Sequence, residues 1–392
     1  MFDPERDEHH LILACAKPQG YKSVSAKAFA GKSTRSETFD WQYVLRFISR
    51  HRIAPLLYYF LSNNPEIHVP EEISARLKKH ASEQAVTNLF QTQELIRVLA
   101  LFEDAGLEAM PFKGPALGHY LYNNLGIRPF GDLDILIRKE AFPQIKTILM
   151  ANGYNPYRTF TPEKEAAFID TQMGFEFVRE DEQSVIEVHW SFLNTVHAFK
   201  LSEEDVWRDR TQLDLSGKEV DIFSPAHLLV YLCAHGSKSL WARMRWICDV
   251  AELVTKHQDE QFWNTVQEVA TQSRSKRMLH TGLRLASELL DTPLPKPIAK
   301  AVKSDIKAIL LANEVITSFF ASNEPADQEL NPISFHLKMQ ERFRDRLPYY
   351  KHIFQLWSKP STKDKDFVDL PRYLGFLYIF VKPIRMMLNR GR

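Results

Sequence analysis

Apolar residues recur three and four positions apart over most of this chain, and the sustained departure from that helical spacing lies between residues 107 and 190. Over 40–61 the stripe is Val44, Leu45, Phe47, Ile48, Leu56, Leu57 and Phe60, with Pro55 dividing it into two short helices. A second helical stretch, broken at most once, is predicted over 71–105 from Leu95, Ile96, Val98, Leu99 and Phe102, with Gly106 as its stop. The helical pattern returns at 224, where Ser224 is a good N-cap and Pro225 suits a first turn. Helices are expected over 226–235, 241–256, 260–272, 275–290 and 299–320, with Pro293, Pro295 and Pro297 between the last two. Residues 321–332 read as a polar loop, followed by a charged helix over 335–346 and a terminal stretch over 370–392.

The middle of the chain alternates between periods. A short strand at 108–112 precedes a helix over 115–122, and a loop through Arg128 leads to the strand Gly131-Asp132-Leu133-Asp134-Ile135-Leu136-Ile137. A helix over 139–152 ends at Gly153, and two strands, 174–179 and 184–190, are joined by a turn at Asp181-Glu182-Gln183. This predicts an α+β fold in four parts: a helical region 1–84, a mixed core 85–223, a helical domain 224–322 and a helical tail 323–392.

Composition narrows the partners. A chain of 392 residues that is 44% hydrophobic can bury a large core. Its 50 Lys and Arg balance 49 Asp and Glu, so no global field favours long nucleic acid as a partner. Cys15, Cys233 and Cys248 lack metal-ligand spacing, and the acidic start before a short apolar run lacks the pattern of a secretory signal; a cytoplasmic protein is expected. The terminal apolar run 373–381, followed by Lys382, Arg385, Arg390 and Arg392, is too short to span a bilayer. It suits weak contact with a membrane surface or a final docked helix.

On a strand Asp132 and Asp134 project to one side, while Leu133, Ile135 and Ile137 face the other. Two carboxylates in one partly dry volume repel unless a proton, a base or a cation relieves them, and hard oxygens suit Mg²⁺. Upstream, Lys113-Gly114 stands at a helix N-terminus, where free N–H groups can receive phosphate. Downstream, Glu187 is a third strand carboxylate, with Ile186, Val188 and Trp190 on the opposite face and His189 on its own. Arg128 fits either a triphosphate contact or a carboxylate partner. His189 fits a metal neighbour, an acceptor-side base or a packed histidine. On the helices, His227, Tyr231 and His235 share a face, and Trp241, Arg245 and Asp249 are spaced by four, which also allows a simple Arg245–Asp249 pair.

The order Lys113-Gly114, Arg128, Asp132-x-Asp134, Glu187-Val188-His189-Trp190 resembles the nucleotidyltransferase superfamily of the polymerase β type. More narrowly it is similar to a bacterial family of uncharacterised nucleotidyltransferases, over residues 85–255. The resemblance implies a polymerase β-like core with Asp132, Asp134 and Glu187 holding Mg²⁺ and the nucleoside triphosphate. It implies Lys113, Gly114 and Arg128 on the nucleotide, and His189, His235, Lys238, Arg245 and Asp249 on a closing or acceptor-side face. The implied activity moves a nucleoside monophosphate from an NTP donor to an unidentified small-molecule or protein acceptor, releasing pyrophosphate. Two rivals are a non-catalytic nucleotide-binding or interaction module and a membrane-surface component of a polysaccharide or peptide-modification pathway. One departure stands out. Lys113-Gly114-Pro115 replaces the Gly-Ser or Gly-Gly of the wider superfamily, so Lys113 substitutes a point charge for a phosphate-binding hydroxyl. The spacing from Gly114 to Asp132 is also long.

Overall fold

A computed structural model describes residues 6–20, 34, 39–179, 184–193, 197–320, 330–358, 364, 367–368 and 370–388. The turn expected at Asp181-Glu182-Gln183, most of the loop 321–332, and Arg390 and Arg392 lie outside the described residues. The chain forms two compact units, Met1–Asn194 with Phe199–Met339, and Thr195–Ala198 with Gln340–Arg392.

The larger unit opens with helices α1 (Asp7–Ala16), α2 (Trp41–His51) and α3 (Ala54–Ser62). Asp40 starts α2 by accepting from the Tyr43 N–H at 2.8 Å, and Pro55 lies in the first turn of α3. Next, α4 (Glu71–Asp104) runs unbroken for 34 residues, with Glu71 and Glu72 against the positive end of its dipole.

A five-stranded mixed sheet follows, in the order β1-β2-β5-β4-β3. Its strands are β1 (Ala109–Pro111), β2 (Leu133–Ile137), β3 (Tyr154–Pro156), β4 (Gly174–Arg179) and β5 (Val185–His189). The β2–β5 pair is parallel and the other pairs are antiparallel. Helices α5 (Gly114–Tyr122), α6 (Phe142–Ala151) and α7 (Pro162–Thr171) join the strands. Alternation along the strands buries Leu133, Ile135, Ile137, Phe175, Phe177, Ile186 and Val188 on one face, with Phe142, Ile145 and Leu149 of α6 and Leu95, Val98 and Phe102 of α4. The opposite face carries Asp134, Glu187 and His189 beside Met110 and Leu136, which pack into the core of the helical half.

The sequence reading missed β3, α7, α8 (Glu203–Arg208) and a separate hairpin of β6 (Thr211–Leu215) and β7 (Lys218–Ile222). Strand β3 is too short to set up a period. The hairpin did carry a signal, because Ser216-Gly217 takes positive φ at both positions between two alternating runs.

Helices α9 (Pro225–Lys238), α10 (Met244–Lys256), α11 (Glu260–Gln272) and α12 (Lys276–Leu290) share one buried core with α1–α3. Ser224 caps α9 as expected. Helix α10 starts three residues later than its spacing suggested, because Leu240 and Trp241 both take left-handed φ. That turn folds Trp241 back onto α9: its backbone N–H donates to the Gly236 carbonyl at 2.7 Å, and its indole ring is fully buried. The single helix expected over 299–320 is two, α13 (Lys296–Ser304) and α14 (Ile306–Phe320). Asp305 ends the first and restarts the chain by accepting from the Ala308 N–H. Likewise the helix expected over 335–346 divides into α15 (Pro332–Met339) and α16 (Phe343–Ser358).

In the smaller unit, a 3₁₀ turn Arg372–Leu377 leads into α17 (Tyr378–Leu388), and the Arg385 Nε donates to buried Asp364 at 2.8 Å. Among the described residues no helix is long and apolar enough to cross a membrane.

Two stability tests follow from this packing. A Cβ at Gly236 would lie 2.6 Å from the Trp241 ring, so Gly236→Ala should destabilise despite the better helix propensity of Ala. A net loss of about 1–2 kcal/mol is expected in a denaturant melt. Burial raises the Asp305 carboxyl, but hydrogen bonds from His280 and the Ala308 N–H, with the Arg277 charge, outweigh it and lower the pKa from 3.8 to about 2. The resulting stability, about 2 kcal/mol, is present above the ordinary pKa and lost as pH falls through the lowered one. Asp305→Asn should therefore flatten stability against pH between about 4 and 2.

Candidate active site

The parallel register sets Asp134 of β2 beside Glu187 of β5, and Leu136 beside His189. Both carboxylates and the imidazole therefore stand on the polar face of the sheet. Donor atoms of Asp134, Glu187 and His189 all lie within 4.8 Å of one another. His189 Nε2 is 3.2 Å from Asp134 Oδ1 and 3.4 Å from Glu187 Oε2.

Lys113 completes the cluster. Its Nζ donates to Asp134 Oδ1 at 2.5 Å and lies 5.9 Å from the Tyr231 ring. The approach depends on Gly114, whose φ is +56° and where a Cβ would press on the Asp132 carbonyl at 3.0 Å. Helix α5 thus begins hard against the start of β2, with Lys113 turned inward.

Burial and charge compete at each group. Burial alone would raise the Asp134 carboxyl, but Lys113 and His189 hold it well below its usual range. Burial would neutralise Lys113 and His189, yet the neighbouring acids raise both. Glu187, half-buried, is lowered, because the His189 contact offsets its own desolvation. Asp132 is different. It precedes β2 by one residue, its side chain is exposed, and protein on one flank followed by the Asp134 charge pushes its carboxyl up. The acid gathered tightly with Asp134 is thus Glu187, and Asp132 stands at the rim.

Helices α9 and α10 supply a basic wall. Lys238, the last residue of α9, is lowered by burial and by the Lys113 charge. His235 is held neutral, first by burial and then by Lys113 and Lys238. On α10, burial and the Arg128 charge bring Arg245 down to about 9, and its guanidinium donates to the Pro129 carbonyl. Its Nε is buried without a hydrogen-bond partner among the described residues.

The pair expected between Arg245 and Asp249 does not form. Asp249 instead accepts from Arg128 Nε at 3.0 and 3.1 Å and from the Tyr122 hydroxyl at 3.1 Å, and this Arg–Asp pair is buried. Spacing by four on one helix suggested a local partner, and a residue 121 positions away won. Trp241 belongs to the turn before α10, not to its face. His227 is drawn to the Ser224 cap at 2.8 Å, so of its helix face only Tyr231 and His235 approach Lys113. The position of Tyr231 over Lys113 was not read from the sequence, since only the tertiary fold brings α9 onto the Lys113 loop.

Residues 37–291 match the profile of a family described as uncharacterised nucleotidyltransferase. The chain belongs to that family. The match extends well beyond the 85–255 read from motifs and takes in α2, α3 and most of the helical half. No curated protein matches the chain. Among solved structures, a lincosamide antibiotic adenylyltransferase with lincomycin bound is similar at 12% identity, over 46% of this chain and 96% of that one, with a TM-score of 0.27. An antigenic nucleotidyltransferase-like protein from Paracoccidioides brasiliensis is also similar at 12% identity, over 50% and 92%, with a TM-score of 0.27. The family membership makes this chain a nucleotidyltransferase enzyme with an α+β core flanked by helices.

In this nucleotidyltransferase the Arg128–Asp249 pair fastens the loop before β2 to α10. Asp249→Ala should cost about 3–5 kcal/mol in a denaturant melt, because it leaves Arg128 buried and unpaired. Replacing both at once with apolar residues of similar size should cost much less, and a sum of two full single losses would contradict a buried pair.

Proposed function

We propose that the enzyme transfers a nucleoside monophosphate from an NTP to an acceptor hydroxyl in a Mg²⁺-dependent reaction. The observation that carries this reading is a buried carboxylate oxygen with nothing bonded to it. Asp134 Oδ1 is engaged by Lys113 and His189, while Oδ2 is buried and without a hydrogen-bond partner among the described residues. Such an atom costs stability unless a ligand satisfies it, and an oxygen donor set with one imidazole fits a hard divalent cation.

In this reading Asp134 and Glu187 hold the metal, and Asp132 adds a carboxylate from the rim. The bound ion would offset charge on the phosphates as the transition state forms. Lys113 and the N–H groups at the start of α5 receive the phosphates, with Lys238 and Arg245 as further positive charge along α9 and α10. Arg128 is assigned to positioning, because Asp249 already binds it. The acceptor oxygen bonds to the α-phosphorus, and the bond to the α–β bridging oxygen breaks with its electron pair leaving on pyrophosphate. Glu187, less buried than Asp134, receives the hydroxyl proton.

Thermal melting with each NTP, with and without Mg²⁺, tests the donor half without knowledge of the acceptor. A metal-dependent rise is expected for the wild type and not for Asp134→Asn or Glu187→Gln; at a hundredfold excess over Kd the gain is about 2.7 kcal/mol. A well-folded wild type that no NTP shifts at saturating concentration would overturn the proposal.

A further inference from the structure

The carboxylate row does not end at Glu187. Glu176 of β4 is its direct antiparallel partner, just as Asp134 is its parallel partner on the other side. Three carboxylates therefore stand abreast on neighbouring strands, about 5 Å apart. Like charges placed opposite one another destabilise a sheet. Asp134 is compensated by Lys113, but among the described residues no lysine or arginine forms an ion pair with Glu187 or Glu176.

Glu176 and Glu187 both line a cleft of ≈ 180 Å³ whose other walls include Tyr157, Phe168, Gln172 and Gly174. Phe168 packs on Phe160 and Phe175 with ring centroids 4.9 and 5.5 Å away, which gives the cleft an aromatic side. Its end is fixed by Trp190, whose indole N–H donates to the Gln172 carbonyl at 2.8 Å and whose backbone N–H donates to Met173 at 2.9 Å. Behind the lining residue Gly174, where a Cβ would lie 3.1 Å away, is His189 Nδ1. That nitrogen is buried and without a hydrogen-bond partner among the described residues, on a residue only 5% exposed. A cleft that shares Glu187 with the Asp134–His189 cluster and holds a second uncompensated carboxylate is a place for a ligand to sit.

We propose that this cleft is the acceptor subsite and that the acceptor is an amine-bearing alcohol. This rests on the transferase reading of the Asp134–Glu187 site. The hydroxyl meets Glu187, the ammonium meets Glu176, and an apolar ring or chain lies between Tyr157 and Phe168. One strand spacing between the two carboxylates matches a hydroxyl and an amine on adjacent carbons. The transfer is the one balanced above, with the amine remaining protonated and unreacted. Arg158, exposed on the loop after β3, also lines this cleft, but among the described residues it forms no ion pair with Glu176.

The test uses two probes at neutral pH: phenylethanolamine, and methyl phenyl carbinol, which lacks the amine. Binding is measured by calorimetry to the full chain with Mg²⁺ and a non-hydrolysable analogue of whichever NTP raises the melting temperature. The amine should bind roughly tenfold more tightly or better, Glu176→Gln should erase that difference, and Tyr157→Ala should weaken both probes alike. Equal binding of the two probes by a wild type that responds to NTP would overturn the acceptor assignment alone. A Glu176→Gln variant with weakened Mg²⁺ binding in the absence of probe would make Glu176 a metal ligand and overturn it as well. A wild type that no NTP shifts would remove the transferase reading and this proposal with it.

Discussion

The parallel pairing of β2 with β5 is the constraint on which the rest of the cleft depends. Side chains alternate on a strand, so a slip of one residue would bring Ile186 beside Asp134 and turn Glu187 into the apolar core. The apolar run on the other face resists that slip, since Leu133, Ile135, Ile186 and Val188 would all have to leave their contacts with α4 and α6. Hydrophobic burial on one face therefore fixes the separation of charges on the other. The buried Asp134 carboxylate in turn demands a cation, and Lys113 reaches it only because Gly114 lets α5 start against the Asp132 carbonyl.

The helical half is more than a support. Positive φ at Leu240 and Trp241 sets the angle at which α10 leaves α9. That angle brings Asp249 under Arg128 and Arg245 under the Pro129 carbonyl, so α10 touches the loop before β2 twice. Electrostatics follow from the same geometry: α9 and α10 bring basic groups toward a sheet face that carries acids. The family profile likewise spans both halves, over residues 37–291.

Much of this was legible in the sequence because local rules governed it. The Ser224 cap, the break at Pro55, the Asp134 strand and the two later strands all follow from spacing and turn chemistry. What was hidden depended on register and on long-range contacts. Glu176 lies in an alternating Phe-Glu-Phe run that marks it as outward-facing, but only the pairing of β4 with β5 reveals that it faces Glu187. Arg128 offered two partners of equal standing, and its actual partner, Asp249, sits on a helix whose packing no periodicity reports. The late start of α10 was invisible for another reason: two consecutive non-glycine residues in the left-handed region run against intrinsic preference and are imposed by the burial of one tryptophan.

The anchoring of the pre-β2 loop to α10 has a consequence for how the protein comes apart. Asp132 sits at the end of a tether whose other end is in the helical half, so its position is only as well defined as the packing of α10 on α9 and α12. Loosening that distant helix core would blur the rim of the cleft while the sheet was still intact. Function would then fade ahead of global unfolding, and substitutions in the helix core and in the loop would be constrained as a set, although they share no element of secondary structure.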